Sequence, residues 1–158
     1  MESRIPITRR GFEALKSELQ TLLTRERPAI QKAIAEARAH GDLSENAEYH
    51  AAKEKQSFIE GRIQAINARM PKLHVVEPAQ SRSDTITFGA TVTLAFVDTE
   101  EALRYQIVGP DEADIKASRI SYLSPIAKAL IGKRSGDVVT VRVPKGDVEV
   151  EIASIEYE

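Results

Sequence analysis

The chain has 158 residues, 42% of them hydrophobic and 29% charged, with a formal net charge of −2, which is the composition of a soluble protein with room for one or two small domains. No apolar run approaches membrane-spanning length, no signal-peptide pattern opens the sequence, and the expected setting is the cytoplasm. With no cysteine there are no disulfides, thiolate nucleophiles or thiolate metal sites. The three histidines, His40, His50 and His74, have no zinc-site spacing. The near-balanced charge argues against a protein that holds nucleic acid by phosphate neutralisation alone, so any such contact is expected to be local and assisted.

In chain order, Thr8 after Pro6-Ile7 is the expected N-cap of a first helix. Apolar residues then recur at Phe12, Leu15, Leu19, Leu22, Ala29, Ala33 and Ala37 in steps of three and four, the pattern of a coiled-coil seam. Pro28 interrupts this helix and removes one backbone donor, so a kink is expected there. Gly41 after His40 suits the C′ position. The rhythm resumes at Ala52, Gln56, Ile59, Ile63, Ile66, Met70 and Leu73, which predicts a second helix running back along the first. The result is an antiparallel hairpin of about thirty residues per helix, about 45 Å long at about 1.5 Å per residue. Its distal tip lies near residues 41–49, and the alanines there make that end slim.

At Glu77-Pro78-Ala79-Gln80-Ser81-Arg82-Ser83-Asp84 the helical rhythm stops and alternation of period two begins. The expected organisation is a hairpin over 1–77, a linker over 78–84 and a compact domain over 85–158. Short strands are predicted at Thr85 to Phe88, Ala90 to Phe96, Leu103 to Val108, Ile120 to Tyr122, Val138 to Val143 and Val148 to Ile155, with a hairpin turn at Pro144-Lys145-Gly146-Asp147. Ser124-Pro125 opens a short helix through Ile131 that Gly132 ends. The fold class is α+β: an antiparallel helical coiled-coil hairpin followed by an antiparallel sheet with one short helix.

The stretch Gly41-Asp42-Leu43-Ser44-Glu45-Asn46-Ala47-Glu48-Tyr49 gathers carboxylates at an exposed turn. Asp42 and Glu45 have two readings. Asp-x-x-Glu ahead of a helix is a capping-box-like pattern, and acidic residues favour a helix N-terminus. Alternatively they are half of a metal site: two carboxylates do not complete the octahedron of Mg²⁺, but they could supply ligands to an ion whose other partners come from another macromolecule. Both readings can hold together. Arg38, Lys53, Lys55 and Arg62 could meet an RNA backbone or simply form the solvated face of a coiled coil. Tyr49 could stack on a base or pack across the hairpin. His40 and His50 flank the tip and are assigned no catalytic role.

The run Ala35-Glu36-Ala37-Arg38, then His40 through Ala52, resembles the tip signature of the bacterial transcript cleavage factors of the Gre type, the GreA/GreB family. The resemblance extends over the whole chain: Thr8 to Gly11, Arg27-Pro28, Phe88-Gly89-Ala90-Thr91-Val92, Ile107-Val108-Gly109, Asp111-Glu112-Ala113-Asp114 and Ser124-Pro125-Ile126-Ala127 with Leu130-Ile131-Gly132. It implies a coiled-coil arm joined to a globular domain of FKBP-like fold, acting as a monomer on backtracked RNA polymerase. In that family the globular domain docks at the rim of the polymerase secondary channel and the arm enters it. The tip carboxylates help to bind Mg²⁺ shared with the polymerase active site, which cleaves the extruded RNA 3′ end. Carried onto this chain, Asp42 is the metal-side carboxylate, Glu45 the metal or water-orienting partner, and Arg38 and Lys53 face RNA. Ser124, Pro125 and Ile126 belong to the docking surface. Leu123 departs from the small polar residue expected before Ser124, and the basic clustering of the GreB kind is weak.

Three other functions compete. A Gre-like protein that occupies the channel without cleavage keeps the rod and alters the tip, whereas this chain retains both carboxylates. A prolyl isomerase needs an aromatic cluster, and only 5% of the residues are aromatic, with no tryptophan. A coiled-coil adaptor without chemistry would use the acidic tip only as a cap.

Overall fold

The computed structural model describes residues 4–42, 46–99, 101–144 and 146–158, without the side chain of Val143. The chain divides into two compact units: one takes in the residues up to Phe12 together with Leu73–Glu158, the other Glu13–Lys72. Among the described residues no helix is long and apolar enough to cross a membrane.

The helical unit begins within α1 (Arg9–Thr21), whose N-cap is Thr8: its Oγ1 accepts a hydrogen bond from the Gly11 amide at 3.1 Å. A π-helical turn at Leu22–Glu26 separates α1 from α2 (Arg27–Ala39), and the Arg27 amide donates to the Leu22 carbonyl. This turn is where the expected kink falls. Pro28, at the start of α2, has no N–H for a regular helical bond, and a π turn accommodates the lost partner by inserting one residue. The inserted residue moves the seam. Ile30, Ile34 and Ala37 are buried, while Ala29 is exposed and Ala33 only half-buried, so the expected Ala29 and Ala33 positions are each displaced by one.

α3 (Ala47–Arg69) packs on α2 with Ala52, Ile59, Ile63 and Ile66 buried, the spacing expected from the sequence. Arg27–Glu60 and Arg62–Glu18 ion pairs span the hairpin. The Arg27 guanidinium donates to both carboxylate oxygens of Glu60, each at 2.8 Å, and Arg62 donates to both of Glu18 at 2.6 and 2.8 Å. Arg62 is thereby paired across the exposed surface of the hairpin.

The second unit begins with β1 (Ile5–Thr8), which pairs in parallel with β2 (Leu73–Val76), Ile5 opposite Leu73 and Thr8 opposite Val76. Residues assigned by the sequence to the ends of the hairpin thus form a small sheet of their own and belong with the C-terminal region, which corrects the 1–77 boundary. Pro78, at the start of the expected 78–84 linker, is buried beside Gly89 within this unit.

A five-stranded sheet carries the main core, in the order β5-β4-β3-β7-β6, built from β3 (Thr91–Phe96), β4 (Ala102–Val108), β5 (Arg119–Ser121), β6 (Val138–Val143) and β7 (Gly146–Glu156). Its pairings are antiparallel except that β5 joins β4 in parallel, so the sheet is mixed where the sequence reading has it antiparallel. A β-bulge at Ala153 lets Thr93 face Ser154 and Leu94 face Ile152. Residues 85–88 do not form the expected strand. The Ile86 amide and carbonyl pair with Lys133 and Gly132, and the Tyr157 hydroxyl accepts from the Thr87 amide at 3.0 Å while donating to the Thr85 carbonyl at 2.7 Å. α4 (Pro125–Leu130) follows Ser124, whose hydroxyl caps the Ala127 amide at 3.2 Å, and it buries Ala127 and Leu130 against the sheet.

Candidate functional site

The tip is built by the way the two helices end. α2 closes with His40 as C-cap and Gly41 at φ 105°, a backbone setting that glycine adopts at little cost. α3 starts at Ala47 with Asn46 as N-cap: the Asn46 side-chain oxygen accepts from the Tyr49 amide at 3.0 Å. The side-chain nitrogen of the same residue donates to the Ala37 carbonyl at 2.7 Å, in the last turn of α2.

Asp42 follows Gly41, lies outside both helices and is exposed. The N-cap of α3 is Asn46, four positions further on. Glu45, its expected partner, falls outside the described residues. Glu48 sits in the first turn of α3, where a negative charge favours the helix dipole.

Arg38 lies over the Tyr49 ring, 5.9 Å from its centroid, and Tyr49 packs against the apolar seam with His50 edge-on at 5.6 Å. Tyr49 is therefore an aromatic packed across the hairpin and covered by a cation, the second of its two expected roles. Lys53 is exposed one turn along α3 from Tyr49 and its ammonium donates to Gln56 at 3.3 Å. Arg38, Tyr49 and Lys53 thus share one flank near the tip. Ser124, Pro125 and Ile126 lie in the other unit: Ser124 is a half-buried cap, Pro125 is exposed and Ile126 packs partly against the sheet core. Leu123 beside them is 51% exposed.

Charge chemistry in the hairpin is concentrated in its ion pairs. The hydrogen bonds from Arg62 hold the Glu18 carboxyl below the usual glutamate range against partial burial, and Arg27 does the same for Glu60. Among the described residues no three histidine or carboxylate side chains come together to hold a metal. The donor chemistry at the tip, hard oxygen on a carboxylate, suits Mg²⁺ only if further ligands come from outside the chain.

Sequence reasoning missed two residues that organise these regions. Asn46 could have been found, since Asn directly ahead of Ala47-Glu48-Tyr49 is among the strongest N-cap signals. Glu112 receives hydrogen bonds from Thr8, and no local signal reveals that pairing because Thr8 lies a hundred residues away in sequence.

The family model described as transcription elongation factor, N-terminal GreA/GreB, matches residues 5–75, and that of the GreA/GreB C-terminal region matches 80–157. The chain belongs to the GreA/GreB family of transcription elongation factors. It is 55% identical over 158 residues to transcription elongation factor GreA of Thermodesulfovibrio yellowstonii, covering all of both chains. It is 56% identical over 156 residues to GreA of Ralstonia nicotianae, covering 98% of this chain and 99% of that one. Among solved structures it is similar to GreA factor homolog 1 of Thermus thermophilus, with 29% identity, a TM-score of 0.44 and coverage of 97% and 99%.

Proposed function

We propose that this elongation factor works in the cytoplasm as a monomer on backtracked RNA polymerase. The helical hairpin enters the secondary channel and the second unit docks at its rim through Ser124, Pro125 and Ile126. The polymerase, not this chain, is the enzyme: it cleaves the extruded RNA 3′ end, and the factor contributes side chains. The observation that carries this reading is the location of Asp42, on an exposed turn beyond the end of α2, in a loop whose following helix is capped by a different residue.

Asp42 and Glu45 would hold Mg²⁺ jointly with the polymerase, and that ion would stabilise charge on the scissile phosphate. The chain's own work is to place one carboxylate oxygen on the metal side and one as acceptor for a proton of the attacking water. Arg38 and Lys53 line the flank along which the RNA backbone passes, with Arg38 held by the Tyr49 ring. The modest charge of the chain supports this reading, because the polymerase supplies the affinity that a free RNA-binding protein would need from its own cations.

The test is RNA 3′-end cleavage in a stalled, backtracked elongation complex with Mg²⁺, comparing the parent with the Asp42→Asn, Glu45→Gln double variant at matched polymerase occupancy. Cleavage should fall by orders of magnitude in the double variant with binding retained, as expected when metal ligands are lost. Undiminished cleavage by the double variant would remove the carboxylates from the mechanism. Binding without cleavage by the parent would make the chain a channel-occupying protein instead.

A further inference from the structure

Asn46 uses both ends of its amide. Its oxygen caps the Tyr49 amide at the start of α3, and its nitrogen donates to the Ala37 carbonyl near the end of α2. For the first task Asp or Ser serves about as well as Asn. The second excludes both: an ionised Asp has no donor, and Ser has a shorter side chain with a single hydroxyl. Ala37 O is one of the carbonyls that a helix end leaves without a regular partner; it also receives the His40 amide at 3.2 Å, and the Asn46 amide adds a second, shorter bond. A single half-buried side chain therefore satisfies backbone groups on both helix ends that flank the tip loop.

We infer that Asn46 is a positioning residue for the tip carboxylates. Its amide ties the end of α2 to the start of α3, the two helix ends that flank Asp42 and Glu45 in the sequence. Asp42 follows the α2 cap by two residues and Glu45 is joined to Asn46 by a peptide bond, so neither has a long tether between itself and the clamp. The inference rests on the tip chemistry proposed above. The pairing of the helices has other supports: the Arg27–Glu60 and Arg62–Glu18 ion pairs and the Ile30, Ile34, Ile59 and Ile63 seam hold the hairpin without Asn46. Loss of the clamp should therefore loosen the tip and spare the rod.

The informative variant is Asn46→Ser, which keeps an acceptor for the Tyr49 amide and removes the donor to Ala37. Asn46→Asp does the same and adds charge. Two measurements on the full chain decide the matter. The first needs no polymerase: in the isotopically labelled parent, scalar coupling across the hydrogen bond from the Asn46 side-chain nitrogen to the Ala37 carbonyl carbon should be detectable by NMR. Its absence, with the Asn46 side-chain protons exchanging at the rate of a free amide, would overturn the clamp. The second is cleavage in the backtracked complex as a function of factor and Mg²⁺ concentration. Asn46→Ser should lower the maximal rate about tenfold or more, since small misplacements of catalytic groups are costly. The factor concentration at half-saturation should stay unchanged, the Mg²⁺ requirement should rise, and helicity should match the parent. A maximal rate within twofold of the parent overturns the inference, as does a loss explained by weaker polymerase binding. The Asp42→Asn, Glu45→Gln variant run alongside separates the two layers. If that variant is inactive while Asn46→Ser is not, Asn46 alone is misassigned; if it still cleaves, the tip chemistry falls and the positioning role falls with it.

Discussion

The Glu112 carboxylate receives both the backbone amide and the hydroxyl of Thr8, residues 104 apart in the chain, and also the Gly109 amide at 3.2 Å. Thr8 is the N-cap of α1, and Thr8, the first turn of that helix and Glu112 all belong to the sheet-bearing unit. Gly11, three residues on, has no Cβ because one there would collide with this carboxylate. Replacing Glu112 with Ala leaves the Thr8 and Gly109 amides without that partner. The expected cost is about 2 kcal/mol, the range for losing charged hydrogen bonds, read as a lower denaturant midpoint with the slope unchanged.

The π turn at Leu22–Glu26 makes a register-specific prediction. Ile34→Ala should cost about 3 kcal/mol, as a large-to-small change in a buried seam, whereas Ala29→Ser should cost under about 0.5 kcal/mol at its exposed position. Chemical denaturation of both variants checks this. The reverse ranking would restore the uninterrupted three-four register.

Acid should weaken the hairpin in a definite window. Glu18 and Glu60 have carboxyls held below their ordinary value by Arg62 and Arg27, so the folded state binds protons less readily than the unfolded one. Their contribution is present above the ordinary glutamate value of about 4.3 and is lost as pH falls through the lowered folded value. Melting temperatures of the parent and of Arg62→Met, measured from neutral pH down to the acid transition, should differ above that window and converge within it. The Glu18 pair is well exposed, so solvent screening keeps the gap under about 1 kcal/mol.

Tyr157→Phe keeps the ring and removes the hydroxyl that joins Thr85 and Thr87. The Thr87 amide and the Thr85 carbonyl then lose a partner, at a cost of about 1–2 kcal/mol. Amide exchange at Thr87 should accelerate more than exchange in the β3–β7 ladder.

Lys53→Gln removes an exposed cation near the tip without touching the seam. If Lys53 meets RNA, cleavage should fall several-fold and its dependence on salt should weaken, with polymerase occupancy unchanged. A salt profile identical to the parent would assign Lys53 to the solvated face of the hairpin.

Much of this architecture was legible because its signals are local. Ser124-Pro125, Thr8 and Gly41 are short-range chemistry, and Ile59, Ile63 and Ile66 follow from periodicity alone; the expected turn at Pro144-Lys145-Gly146-Asp147 includes Lys145, which lies outside the described residues. The π turn was not legible, because Pro28 announces a lost hydrogen bond but not whether the helix answers by bending or by inserting a residue. The Ile5–Leu73 pairing and the parallel β4–β5 contact depend on partners distant in sequence, which alternation within a strand does not reveal. At the tip, Asp42 and Glu45 stand out by charge, while Asn46, neutral and embedded in the same motif, carries no charge signal although its side chain bonds to both helix ends.

The parallel pairing of β1 with β2 also bears on how such a protein can be altered. The chain leaves the sheet-bearing unit after one of these neighbouring strands and returns through the other, so Glu13–Lys72 has the topology of a cassette inserted into a host fold. Exchanging it for another helical hairpin, with the junctions at Phe12/Glu13 and Lys72/Leu73, would keep the host's own strands intact. A cut at residue 77 would instead carry β1 and β2 away and strip the host of its entry and exit strands.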